Sequence, residues 1–140
     1  MGGANGKIME VEYGPIQDDF EFGSELGSGR YATTYSATRR ADGLCVAVKV
    51  LNKTDPNFKY HRAMHEITTM AELGAGHPNC VLLYGAYEDD LTISMVEELV
   101  PGGELLARIQ DSQHFSERHA ARIIHQVLSG LAFLHSLGIT

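Results

Sequence analysis

A chain of 140 residues carries 18 Asp and Glu against 11 Lys and Arg, a formal net charge of -7, with 44% hydrophobic and 21% charged residues. Such length and composition suit one ordinary globular core, and scattered Lys and Arg in an acidic chain exclude nucleic acid as a partner. No apolar run approaches the roughly 20 residues of a membrane helix, so no transmembrane segment is expected. The opening Met1-Gly2-Gly3-Ala4-Asn5-Gly6 lacks the basic start and apolar stretch of a secretory signal and reads as part of a flexible arm, residues 1–16. Gly2 suits myristoylation, but the usual hydroxyl residue at the sixth position is Gly6. Cys45 and Cys80, without Cys-x-x-Cys spacing, read as reduced thiols in a cytoplasmic protein.

In chain order, Phe20-Glu21-Phe22 opens an alternating segment to Leu26 that breaks into Gly27-Ser28-Gly29, a strand followed by a turn. Tyr31 to Ala37 favours a second strand, Asp42-Gly43 a tight turn, and Leu44 to Leu51 a third strand. From Asn57 to Leu73, Met64, Ile67, Met70, Ala71 and Leu73 recur at helical spacing, and Gly74, Gly76 and Pro78 end the helix. Two strands, Val81 to Tyr87 and Leu91 to Val96, flank the acidic turn Glu88-Asp89-Asp90. Beyond Pro101-Gly102-Gly103 the pattern is helical: Glu104 to Gln110, then a longer helix capped by Ser116 and stopped by Gly138.

The segment Leu26-Gly27-Ser28-Gly29-Arg30-Tyr31-Ala32 matches G-x-G-x-x-[GA], a weak signal alone, since glycines let backbone amides approach phosphate in several folds. Here a strand follows the glycines and a turn brings the chain into Val46-Ala47-Val48-Lys49, whereas a dinucleotide fold would open a helix. A lysine on such a strand is costly to bury unless it meets anions. Phosphates are suitable partners, and Glu66, on the face of Met70 and Leu73, lies where it can pair with Lys49. His61 and His65 stand one helical turn apart, but zinc normally takes three or four ligands and no third is evident, so no metal site is expected. His114, His119 and His125 show no ligand pattern.

With these motifs in order, joined by His65-Glu66-Ile67, His77-Pro78-Asn79, Gly85-Ala86-Tyr87-Glu88-Asp89, Gly102-Gly103-Glu104-Leu105 and Phe115-Ser116-Glu117-Arg118, residues from Phe20 to Thr140 resemble a eukaryotic Ser/Thr protein kinase of the calcium-dependent or calcium/calmodulin-dependent kind. The resemblance implies an α+β fold. A kinase-like N-lobe of five antiparallel strands and one helix spans 17–97, a hinge 98–103, and the first helices of an incomplete helical C-lobe 104–140. It implies ATP as cofactor, bound under the loop of Gly27, Ser28, Gly29, Arg30, Tyr31 and Ala32. Leu26, Thr34, Ala47, Glu98 and Val100 would line the adenine site, with backbone groups of Glu98 and Val100 reading the base. Lys49 would hold the α- and β-phosphates and Glu66 would orient it. Glu104 would lie near the ribose and help receive a basic residue preceding the acceptor in a protein substrate.

Three residues depart from the family pattern: Ala32 replaces the third glycine, Thr34 a customary Val, and Glu97 the apolar or Thr residue behind the adenine, where a carboxyl should find a cation, be protonated or belong to a shifted register. The family's catalytic-loop Asp and the Asp and Asn that ligate Mg2+ have no counterpart within these 140 residues. The resemblance therefore implies nucleotide binding without phosphoryl transfer by the chain alone. It also implies that the apolar face of the last helix requires the remainder of a C-lobe, or a partner, as cover. The alternative is a non-catalytic nucleotide-binding, decoy or pseudokinase module acting through protein partners.

Overall fold

The computed structural model describes residues 9–111 and 116–140. Gly2, His114 and Phe115, on which the sequence reading touched, lie outside them. Two compact units form: Val81–Leu99 joins the chain up to Gly74 in the first, and Ala75–Cys80 joins Val100–Thr140 in the second.

The first unit is a six-stranded sheet in the order β1-β5-β6-β4-β3-β2. Its strands are β1 (Glu12–Tyr13), β2 (Phe20–Ser28), β3 (Ala32–Arg39), β4 (Cys45–Asn52), β5 (Leu83–Glu88) and β6 (Thr92–Glu98), with a short 3-10 turn at Ile16–Asp18 and one α-helix, α1 (Tyr60–Leu73). The five expected antiparallel strands are present. The sixth, β1, pairs parallel with β5 and was assigned to the flexible arm by the sequence reading. Two residues carry no periodicity; strand pairing secures them, helped by the Gly14 N–H donating to Glu88 O at 2.9 Å and by a side-chain bond in which Tyr13 Oη donates to Asp90 Oδ1 at 2.5 Å. Helix α1 starts at Tyr60, three residues after the expected Asn57, because Asp55 folds back to accept from the Asn57 N–H at 2.7 Å.

Strand alternation builds a layer on each face of the sheet. On one face Val46, Val48 and Val96 pack with Ile16, Phe20 and Ala37. On the other, Leu51, Leu83, Ala86, Ile93 and Met95 pack with Ala63 and Ile67 of α1. Fully burying one such aliphatic contributes about 1.5–3 kcal/mol, so the two layers fix the helix on the sheet and set which β4 residues look toward it. The β3–β4 turn closes on Gly43 at φ 76, and Asp42 braces it by accepting from Arg39 at 2.6 Å and from the Leu44 N–H at 3.1 Å.

The second unit contains α2 (Leu105–Asp111) and α3 (Glu117–Ser136). Ser116 caps α3 as expected, its Oγ accepting from the His119 N–H at 3.2 Å. The segment 75–80 is tied to α3 through His77. Its Nδ1 accepts from the Asn79 N–H at 3.1 Å, so in the neutral ring the proton sits on Nε2, which donates to Ser129 Oγ at 3.0 Å. The ring also stacks on Phe133. Gly130 eases the approach there, since a Cβ would make a tight 3.3 Å contact with Asn79 O. Along α3, Ile124, Val127, Leu128 and Leu131 form an exposed apolar stripe. No helix among the described residues is long and apolar enough to cross a membrane.

Candidate functional site

Strand β4 reads Val46-Ala47-Val48-Lys49. Because successive side chains alternate, the two valines enter the first layer while Ala47 and Lys49 face α1. On α1, Ala63 and Ile67 are buried against the sheet, and Glu66, three residues beyond Ala63, shares their side of the helix. The result is an ion pair: Lys49 Nζ donates to Glu66 Oε1 at 2.6 Å, with side chains 28% and 41% exposed. A pair this open contributes only about 0–1 kcal/mol to stability. What it does is hold an ammonium group on the α1-facing side of the sheet, with donors to spare for another acceptor.

The ladder aligns the glycine loop with that lysine. Gly27 pairs with Thr34, Thr34 with Lys49, and Lys49 with Met95, so one row crosses four strands. The loop closes through Gly29 N–H donating to Ala32 O at 2.7 Å, with Arg30 and Tyr31 at the tip. Neither Gly27 nor Gly29 has positive φ. Their value is the missing side chain: a Cβ on Gly27 would meet nothing within 4 Å, leaving open space into which a ligand and backbone amides can approach each other. Ala32 also avoids positive φ, so a methyl replaces the third glycine without strain.

The neighbouring row on the same face is Ser36, Ala47, Glu97 and Leu83. Ala47 is buried. Leu26 and Ser28 lie exposed along β2. Glu98, exposed at the end of β6, donates its N–H to Leu82 O at 2.8 Å and accepts from the Leu82 N–H through Oε2 at 3.3 Å. Of its two backbone groups expected to read a base, the N–H is therefore committed within the sheet. Val100 and Glu104 belong to the second unit and are exposed there.

Glu97 is half-buried beside Lys49. Burial pushes its carboxyl above the usual range, the Lys49 ammonium pulls it back down, and the Glu66 carboxylate pushes it up further. The sequence reading puts Glu97 behind the adenine as a departure from pattern, but does not place it beside Lys49. The signal that would have placed it is parity: Ile93, Met95 and Glu97 alternate onto the face of Lys49. Among the described residues, clefts border both faces of the sheet. One of about 470 Å³ includes Tyr31, Thr33, Tyr35 and Val50, and Thr33, Tyr35 and Val50 are on the face opposite Lys49. A second of about 390 Å³ lies among Gly23, Ser36, Thr38, Cys45 and Leu99, along the β3–β4 edge of the Lys49 face.

The sheet thus places a glycine hairpin in register with a strand lysine that is itself paired to a helix carboxylate. The model of the protein kinase domain matches residues 20–140, and the chain belongs to that family. It is similar to calcium-dependent protein kinase SK5 of Glycine max, 40% identical over 126 residues that make up 89% of this chain and 25% of that protein. It is also similar to calcium-dependent protein kinase 10 of Oryza sativa subsp. japonica, 36% identical over 138 residues, 96% of this chain and 22% of that protein. Among solved structures the twitchin kinase fragment of C. elegans superposes with a TM-score of 0.81 at 30% identity, covering 96% of this chain and 30% of that one. The chain thus spans about a quarter of the length of the curated relatives it matches.

Proposed function

We propose that this chain is the ATP-binding portion of a Ser/Thr protein kinase, which transfers the γ-phosphate of ATP to protein hydroxyls. The observation that carries the reading is the 2.6 Å contact of Lys49 with Glu66 in the row of Gly27 and Thr34. Phosphate oxygens entering the open space by Gly27 accept from Lys49 Nζ, while Glu66 keeps that side chain extended. Backbone amides of the loop from Gly27 to Ala32 add donors. Ala47 and Leu26 offer apolar surface to the adenine, and Thr34 a hydroxyl.

The N-lobe runs to Glu97, the hinge over 98–103 and the first C-lobe helices from Glu104. Because Glu12–Tyr13 joins the sheet, the lobe begins earlier than residue 17. By the family resemblance, Glu98 O and the backbone of Val100 read the base, and Glu104 meets the ribose and a basic residue of the substrate. Among the described residues no cluster of three or more His, Cys, Asp or Glu is placed to hold a metal, and the family's Mg2+-ligating Asp and Asn have no counterpart among them. With neither metal ligands nor a carboxylate aligned to a substrate hydroxyl, these residues bind nucleotide and do not by themselves transfer phosphate. The unpaired Cys45 and Cys80 suit a reducing cytoplasm.

Hydrogen bonds to charged groups are worth about 1.5–3 kcal/mol, so Lys49→Met should weaken ATP binding by roughly 10- to 150-fold in calorimetric titration. Equal binding by both proteins would end this reading.

A further inference from the structure

Three charged groups meet on the α1-covered face of the sheet, and two of them are carboxylates. Lys49 pairs across the ladder with Met95, so Glu97, two residues on, is its diagonal neighbour on the same face, a separation that long side chains span. Glu66 takes one side of the ammonium at 2.6 Å. Among the described residues, the elements packed around Glu97 present no second cation to it: β4 contributes Lys49 and α1 contributes Glu66, while its β5 neighbour is Leu83. His65, next to Glu66 in sequence, is exposed to solvent. The cluster therefore carries one amine against two carboxyls, and Glu97 is the one without a close ion pair among the described residues.

We infer that Glu97 is an affinity-determining residue of the nucleotide site: while ionised it competes with phosphate for Lys49, so that ATP binding to this chain takes up a proton. The inference rests on the nucleotide-binding reading above. The ammonium must divide its field between Glu66, Glu97 and the entering phosphates, and like charges repel across the partly hydrated interval. Once Glu97 is protonated it stops opposing the polyanion and can donate a hydrogen bond instead. The direction of its titration agrees: burial and Glu66 already bias it toward the neutral form, and an arriving polyphosphate biases it further. A neutral nucleoside, bringing no charge to Lys49, escapes this effect. Glu97 thus favours neutral ligands over polyphosphates at high pH and relaxes that preference at low pH.

The test measures binding of ATP and of adenosine to the wild-type chain, Glu97→Gln and Lys49→Met between pH 5 and 8.5, with circular dichroism verifying each fold. The ratio of Glu97→Gln to wild-type affinity is the readout, because titration of ATP itself cancels in it. ATP should bind Glu97→Gln about threefold to tenfold tighter than wild type at the highest pH, the effect of one charge at roughly 7–8 Å in a partly aqueous medium. That ratio should fall toward one as the pH drops, while the corresponding ratio for adenosine should not vary with pH. Glu97→Asp, which keeps the charge, should keep the pH dependence. If Glu97→Gln does not fold, Glu97→Met takes its place with the same expectations. A ratio near one at all pH values, with ATP binding still lost in Lys49→Met, overturns this inference alone. ATP binding that is indifferent to Lys49→Met overturns the nucleotide reading and this inference with it.

Discussion

Replacing Glu66 with Ala should damage nucleotide binding far more than it damages the fold. The pair is 2.6 Å long, yet its side chains are 28% and 41% exposed. In a water-like medium the direct Coulomb attraction at that distance is about 1.6 kcal/mol, and ordering two flexible side chains offsets much of it, leaving about 0.2–1 kcal/mol. Urea unfolding followed by circular dichroism should therefore shift by no more than about 1 kcal/mol. ATP affinity should fall about tenfold, because Lys49 without Glu66 samples rotamers that miss the phosphates; one ordered side chain and one charged hydrogen bond together are of that size. A double-mutant cycle with Lys49→Met checks the attribution, since Glu66→Ala should have almost no further effect on binding once the amine is gone. A loss of stability of about 3 kcal/mol or more, the size expected for a buried pair, would refute the reasoning. So would unchanged ATP affinity.

Ile67 is 2% exposed where α1 meets the sheet, and Ile67→Ala should cost about 2–4 kcal/mol in denaturant unfolding. The folded-state pKa of Glu97 is raised. The ionised carboxyl therefore costs the fold stability above that pKa, and the cost disappears below the ordinary carboxylate range. Accordingly Glu97→Gln should raise the melting temperature at pH 8 and leave it unchanged near pH 4, and a gain of equal size at both would contradict the assignment. Asp42 is held down to about 2 by Arg39 and by the Leu44 N–H. Its contribution to the β3–β4 turn should persist above the ordinary carboxylate value and fade only as the pH falls toward 2, with carboxyl NMR titration reading the midpoint.

Much of the site was legible as spacing. The glycine hairpin, the alternation Val46-Ala47-Val48-Lys49 and a helix with Glu66 on its apolar side are local patterns with periods of two and 3.6, and local patterns survive without knowledge of the fold. Strand β1 was not legible, because two residues hold no period and their place depends on the exposed edge of β5, distant in the chain. The committed N–H of Glu98 was hidden for the same reason: its acceptor, Leu82, is brought to it by strand pairing.

The amino-acid sequence alone determined the order of five of the six strands and of the α-helices, the kinase family, and the identity of the amine and carboxylate that pair. Only the tertiary structure decided what surrounds them: that Gly27, Thr34, Lys49 and Met95 form one row, and that Glu97 enters as a second carboxyl facing the same ammonium. Periodicity assigns a residue to a face of its own strand. Which faces meet, and therefore which charges share one field, depends on the register between strands that the buried layers on both sides of the sheet impose.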